Sequence, residues 1–187
     1  MKPQLFRTPK ELRAWYEANH DGRSELLVGF WKKATGKESV TYQQALDEAL
    51  CYGWIDSTYR RIDHERGALW WAPRRKGSVW AASNRARVAR LEAEGRLAES
   101  GRAAVERAKA DGSWSLLEPV EALIVPHDLA AALDARDGAR QQWETLPPTA
   151  KRAYLLWVAT AKRASTREAR VNETAAAVAG GRRLDER

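Results

Sequence analysis

Cysteine occurs once in these 187 residues, at Cys51, and so does methionine. A single thiol excludes an internal disulfide and any zinc site built on paired cysteines, and it fits a reducing interior. Flanked by Leu50 and Tyr52, Cys51 reads as a buried structural thiol. The three histidines, His20, His64 and His127, fall in expected turns or helix starts and none has a histidine four residues away, so no metal site is expected. The longest apolar run, Ala153 to Ala159, is far too short to span a bilayer, and the opening MKPQLFRTPKEL has no apolar secretion core. The expectation is a cytoplasmic protein with no membrane partner. Neither a Gly-rich phosphate loop, nor a dinucleotide fingerprint, nor G-x-S-x-G occurs, so no cofactor is expected and no hydroxyl nucleophile announces itself. Phenylalanine is scarce as well, two residues against nine tryptophans. Tryptophan can line a ligand pocket, although its commoner use is to fill a core.

What is present in quantity is charge. A chain 44% hydrophobic and 30% charged is ordinary for a globular protein, long enough for one domain or for a domain with a smaller helical appendage. The net charge of +7 points to an anionic partner. The excess is uneven: residues 63–117 hold eleven Lys/Arg against seven Asp/Glu, whereas residues 118–187 hold eleven against ten. An arginine-rich solvated surface would give the same total, so position has to decide.

Helix start and stop signals organise the chain. Thr8-Pro9-Lys10-Glu11 is a capping box with proline at the first helical position, and it predicts a helix to about Asn19. Glu25 to Lys33 is rich in β-formers and turns at Thr35-Gly36-Lys37. Thr41-Tyr42-Gln43-Gln44 opens a second helix. Cys51 to Asp63 alternates as a strand, and a turn at 64–67 leads into ALWWA, giving a hairpin over about 54–72. Further helices are predicted over about 79–94 and 98–110. Beyond Trp114, prolines 119, 126, 147 and 148 punctuate short helical pieces, one over about 128–133, before stronger helices at 148–162 and from Ser165-Thr166-Arg167-Glu168 to Gly180-Gly181. The expected fold class is α+β: a small antiparallel sheet of about three strands packed by helices in residues 1–117, followed by an all-helical segment, 118–187, docked on it.

The most unusual chemistry lies in Ala68 to Arg90, with three tryptophans, six cations and no acid. Proline 73 cannot donate a ladder hydrogen bond, which puts Arg74, Arg75 and Lys76 in a loop. Ser78 is placed to cap a helix from Val79, whose Trp80, Asn84, Val88 and Leu91 share a face. A helix start beside three cations is an anion site. On the preceding strand Trp54 and Asp56 share one face, and a carboxylate beside that tryptophan calls for Arg74 or Arg75 as partner. The alternative for Asp56 is a structural salt bridge between hairpin and loop. Asn84 either orients a ligand or bonds loop backbone, and Tyr42 lines the site or packs in the core with its hydroxyl outward. The candidate ligand-binding set is Tyr42, Trp54, Asp56, Arg74, Arg75, Ser78, Trp80 and Asn84.

Four stretches in order, Tyr42 to Ser57, Pro73 to Asn84, Lys109 to Trp114 and Ala161 to Thr174, make the chain resemble the YdeI/OmpD-associated, or bacteriocin-protection, family of bacterial proteins. The likeness runs from about Thr8 to Gly181. Ala81 departs from it, since the family's pattern has serine after the tryptophan. The resemblance implies a stress-tolerance phenotype, protection against antimicrobial peptides and association with an outer-membrane porin, and it implies no particular reaction.

These readings converge on a binding or interaction protein that takes a small anionic ligand or an acidic protein segment in a Trp/Arg-lined pocket. One alternative is an enzyme using Asp56 as base or orienter and Arg75 as anion clamp. The other is a nucleic-acid binder, with indoles as stacking platforms, which Glu92, Glu94, Glu99 and Glu106 disfavour by breaking the basic stripe.

Overall fold

The computed structural model describes residues 2–182. By its contacts the chain divides into two compact units, Met1–Trp114 and Ser115–Arg187.

In the first unit a four-stranded mixed sheet runs in the order β1-β2-β4-β3. It comprises β1 (Gln4–Leu5), β2 (Leu26–Trp31), β3 (Trp54–Arg61) and β4 (Arg66–Pro73). The sheet has one strand more than the antiparallel three read from the sequence, because Gln4–Leu5 pairs parallel to β2, opposite Val28 and Gly29. Two residues are too few to leave a periodic signal. The β3–β4 hairpin has the expected place, and β4 is one of the two interior strands. Pro73 is nevertheless part of β4, opposite Trp54. It is tolerated as the last strand residue, because the next ladder bond comes from the Arg74 amide to the Gly53 carbonyl at 2.9 Å.

Helices α1 (Pro9–Asn19), α2 (Tyr42–Cys51), α3 (Ala82–Ala93) and α4 (Glu99–Ala110) complete this unit. The Thr41 hydroxyl accepts from the Gln44 amide at 3.3 Å, and the Gln44 side chain accepts from the Thr41 amide at 2.9 Å, closing the predicted box. At α1 the reciprocal half shifts by one residue, since Glu11 accepts from the Arg7 amide rather than from Thr8. Helix α2 is the hub, with α1, α3, α4 and β3 all packed on it. The core holds Leu12, Tyr16, Leu26, Val28, Leu50, Trp54, Trp71, Trp80, Val88 and Leu91. Glycine 101 lets α4 approach α2: a Cβ there would lie 2.8 Å from the Cys51 carbonyl carbon and closer still to its oxygen. Cys51 is fully buried, and burial pushes its thiol up to about 11, helped by the nearby Glu48 carboxylate.

The second unit is helical in its described residues: α5 (Glu118–Glu121), α6 (His127–Asp134), α7 (Ala139–Thr145), α8 (Pro148–Ala159) and α9 (Ala164–Ala179). Helices α6, α7 and α8 pack on α9 around Leu129, Leu133, Trp143, Tyr154, Val171, Ala175 and Val178. Ser165 lies inside α9 and does not cap it; the cap residue is Arg163, whose side chain makes no capping bond.

Candidate functional site

The loop after the hairpin is built by short-range hydrogen bonds. The Ser78 hydroxyl accepts from the Arg75 amide and the Ser78 amide donates to the Arg75 carbonyl, both at 3.0 Å. Gly77 sits at φ +73° inside this turn, a conformation glycine adopts at little cost. Its amide donates to Asp111 Oδ2 at 2.9 Å, while Asp111 Oδ1 accepts from the Ser113 amide at 3.0 Å. The loop is thereby pinned to the end of α4. Hydrogen bonding from Ser113 and Gly77, with the charge of Lys76, holds the Asp111 carboxyl below its ordinary range.

This arrangement corrects the expected role of Ser78 and the expected helix start. Helix α3 begins at Ala82, after an Ala81 with no side-chain cap. The hydroxyl of Ser78 is committed to the turn. The carbonyls of Val79 and Trp80, which a helix beginning at Val79 would engage in its own ladder, accept instead from Arg74 Nη1 at 3.0 Å and Arg85 Nη1 at 2.8 Å. The helix therefore starts six residues after Lys76 rather than three.

Arg74 is the exceptional residue. Only 8% of it is exposed, and its guanidinium carbon stacks 3.6 Å from the centroid of the Trp80 ring. Such a stack is worth up to ~2 kcal/mol when desolvated. Nη1 is satisfied by Val79, but Nε and Nη2 are buried without a hydrogen-bond partner. An unsatisfied buried donor costs about 1–3 kcal/mol, and more when it is charged. Burial accordingly pulls the guanidinium down, to about 10, with the Asp56 charge opposing. It remains a cation at neutral pH.

Arg74 and Trp80 form the buried side of a small cleft of about 10 Å³, whose wall continues through Ser78, Ala104, Ala108 and Ser113. Arg75, Lys76, Arg107 and Asp111 line its exposed side. A space of this size seats about one water-sized group. The structure thus brings Arg74, Arg75, Ser78 and Trp80 together, on one side of a cleft whose other side is α4 rather than the hairpin. It does not bring the other four. Trp54 is a core residue, edge-on to Trp15 at 5.8 Å and to Tyr16 at 5.4 Å. Asp56 accepts from the Tyr42 hydroxyl at 3.3 Å, and Tyr42 leans over Trp71 with ring centroids 6.2 Å apart. Burial and the adjacent Asp56 charge raise the Tyr42 phenol, with Arg87 opposing. Asp56 thus has a tyrosine for its hydrogen-bond partner and reaches Arg74 through its field alone. Asn84 is half-buried in the first turn of α3, where its amide N–H donates to the Ala81 carbonyl.

Residues missed from the sequence are Lys76, Arg107, Asp111 and Ser113. Asp111 and Ser113 had a signal, since both fall in the KADGSW stretch; Arg107 had none, being one of many arginines. Larger hollows lie in the second unit, one of about 350 Å³ along α5 and α8 and one of about 660 Å³ near Tyr154 and Val178. Their size does not make them the chemical site: among the described residues the buried charged side chains, Glu48 and Arg74, both belong to the first unit. No group of three or more His, Cys, Asp or Glu among the described residues is placed to hold a metal, and no helix there is long and apolar enough to cross a membrane.

Fold and site together define an α+β unit with a cation-lined cleft, followed in sequence by a helical unit. The chain belongs to the family described as a domain of unknown function (DUF8412), whose model matches residues 4–104. Residues 122–181 match a second model, described as bacteriocin-protection, YdeI or OmpD-associated. The resemblance read from the sequence therefore holds over that part of the chain, where the Ala161 to Thr174 stretch lies. The Tyr42 to Ser57 and Pro73 to Asn84 stretches fall under the other model, and Lys109 to Trp114 under neither. No curated protein and no solved structure matches the chain.

Proposed function

We propose that this is a cytoplasmic anion-binding protein whose first unit takes the oxyanion of a small ligand at the Arg74 cleft. The observation that carries the reading is that Arg74 lines that cleft while its buried Nε and Nη2 have no hydrogen-bond partner. The fork of those two N–H groups can be met by a single oxygen of a carboxylate or phosphoryl group, which is what the cleft has room for. The Trp80 ring fixes the guanidinium plane, so little side-chain entropy remains to be lost on binding. An oxyanion would supply the missing acceptors and recover the desolvation cost that Arg74 carries alone.

The charge of +7 bears on the phenotype in the second model's name. A cation of this size repels cationic peptides at long range. Any protective role would therefore run through the bound anion rather than through capture of a bacteriocin.

The enzyme reading loses its geometry, because Asp56 is engaged by Tyr42 while Arg75 stands at the exposed side of the cleft. The test is thermal unfolding with inorganic phosphate. At about 100 times its dissociation constant a ligand adds about 2.7 kcal/mol, and the wild type should show a shift of that kind. Arg74→Met, which keeps an unbranched side chain over Trp80 but no fork, should fold and show none. A shift that survives in Arg74→Met, or no shift in the wild type, removes the proposal.

A further inference from the structure

The balance of charge around the cleft narrows the ligand class. Arg74, Arg75, Lys76 and Arg107 meet a single carboxylate there, Asp111, whose two oxygens already accept from the Gly77 and Ser113 amides. Arg75, Lys76 and Arg107 are exposed, and none forms an ion pair among the described residues. The local surplus is three positive charges. A carboxylate supplies one negative charge and a phosphate monoester about 1.5 to 2, whereas two linked phosphoryl groups supply roughly three.

Space points the same way. The cleft has about 10 Å³, room for the leading oxygen of an oxyanion and not for a whole ligand. Whatever reaches Arg74 must keep the rest of its charge outside, where Arg75, Lys76 and Arg107 stand. A second phosphoryl group one bridging oxygen away from the first occupies that position.

Resting on the oxyanion reading of Arg74, we infer that the ligand is a diphosphate: one phosphoryl group places its leading oxygen on the buried Arg74 edge and the next is held by the exposed trio. Exposed pairs are individually weak, so the second phosphoryl should be worth about tenfold in affinity at low salt, or about 1.4 kcal/mol shared among the three cations.

Calorimetric titration at low ionic strength with inorganic phosphate, inorganic pyrophosphate and succinate tests this on the full chain. Pyrophosphate should bind about tenfold tighter than phosphate and tighter than succinate. In an Arg75→Ala/Arg107→Ala double variant that preference should fall to about twofold. If phosphate binds through Arg74 but pyrophosphate gains nothing over it, or if the double variant keeps the tenfold preference, the diphosphate assignment is overturned while the oxyanion reading stands. Equal binding of succinate and pyrophosphate overturns the assignment as well. If none of the three binds, both fail together, and the Arg74 edge is served by water.

Discussion

The two units solve the same folding problem by different means. In the first, two helices start on threonine side chains, Thr8 and Thr41, each with a hydrogen-bonded cap. Charged groups lie inside it: Glu48 is buried and held by Arg13 Nη1 at 3.2 Å and Arg96 Nη2 at 2.6 Å. In the second, none of α5 to α9 has a side-chain cap bond. Prolines begin several of these helices instead, Pro119 early in α5, Pro126 and Pro147 as cap residues of α6 and α8, and Pro148 at the head of α8. Its interior is apolar, with Thr174 as the buried polar residue among those described. Proline stiffness and apolar burial are tolerant means of stability, whereas a buried charge works only in one geometry. The cleft sits in the unit that already bears that cost.

The contrast is broken most severely at the crossing of α4 over α2. A Cβ on Gly101 would press on backbone, the Cys51 carbonyl, which cannot move aside as a side-chain tip would. Gly101→Ala should cost about 3 kcal/mol, the upper end for overpacking, in urea unfolding followed by tryptophan fluorescence. A loss below about 1 kcal/mol would mean that the helices separate easily and that the first unit is as tolerant as the second.

The next largest effect tests the buried carboxylate. Arg96→Met keeps the unbranched side chain but leaves Glu48 with Arg13 as its remaining cation. The loss should be about 2 kcal/mol, short of the 3–5 of a fully buried pair because Arg13 still stands and Arg96 is one-third exposed. Adding Glu48→Gln to Arg96→Met should restore part of that loss, since the charge left underpaired is gone. If the double variant is less stable than Arg96→Met, then Glu48 contributes through something other than its partnership with the arginines.

What the sequence disclosed follows from range. Threonine boxes, the hairpin and the burial of Cys51 are set within a few residues, and all were legible. Ser78 was misread because a serine before an apolar run serves equally as a helix cap or a turn closer. The choice fell to Arg74 and Arg85, which take the carbonyls a helix would have used. Asp56 was assigned an arginine and has Tyr42, fourteen residues earlier on another element. The cleft itself depends on Asp111 tying down Gly77 across 34 residues. No local pattern encodes a contact of that span, although the KADGSW stretch marked its far end.

The smallest effect returns to the second unit, at Thr174. Its side chain is fully buried in α9 and its Oγ1 has no hydrogen-bond partner. A hydroxyl in that position carries a desolvation cost that nothing around it offsets, and valine replaces it with nearly the same shape. Thr174→Val should therefore stabilise the protein by about 1 kcal/mol, seen as a higher urea midpoint at unchanged m-value. An unchanged or lower midpoint would show that the Thr174 hydroxyl is not an uncompensated cost to the second unit.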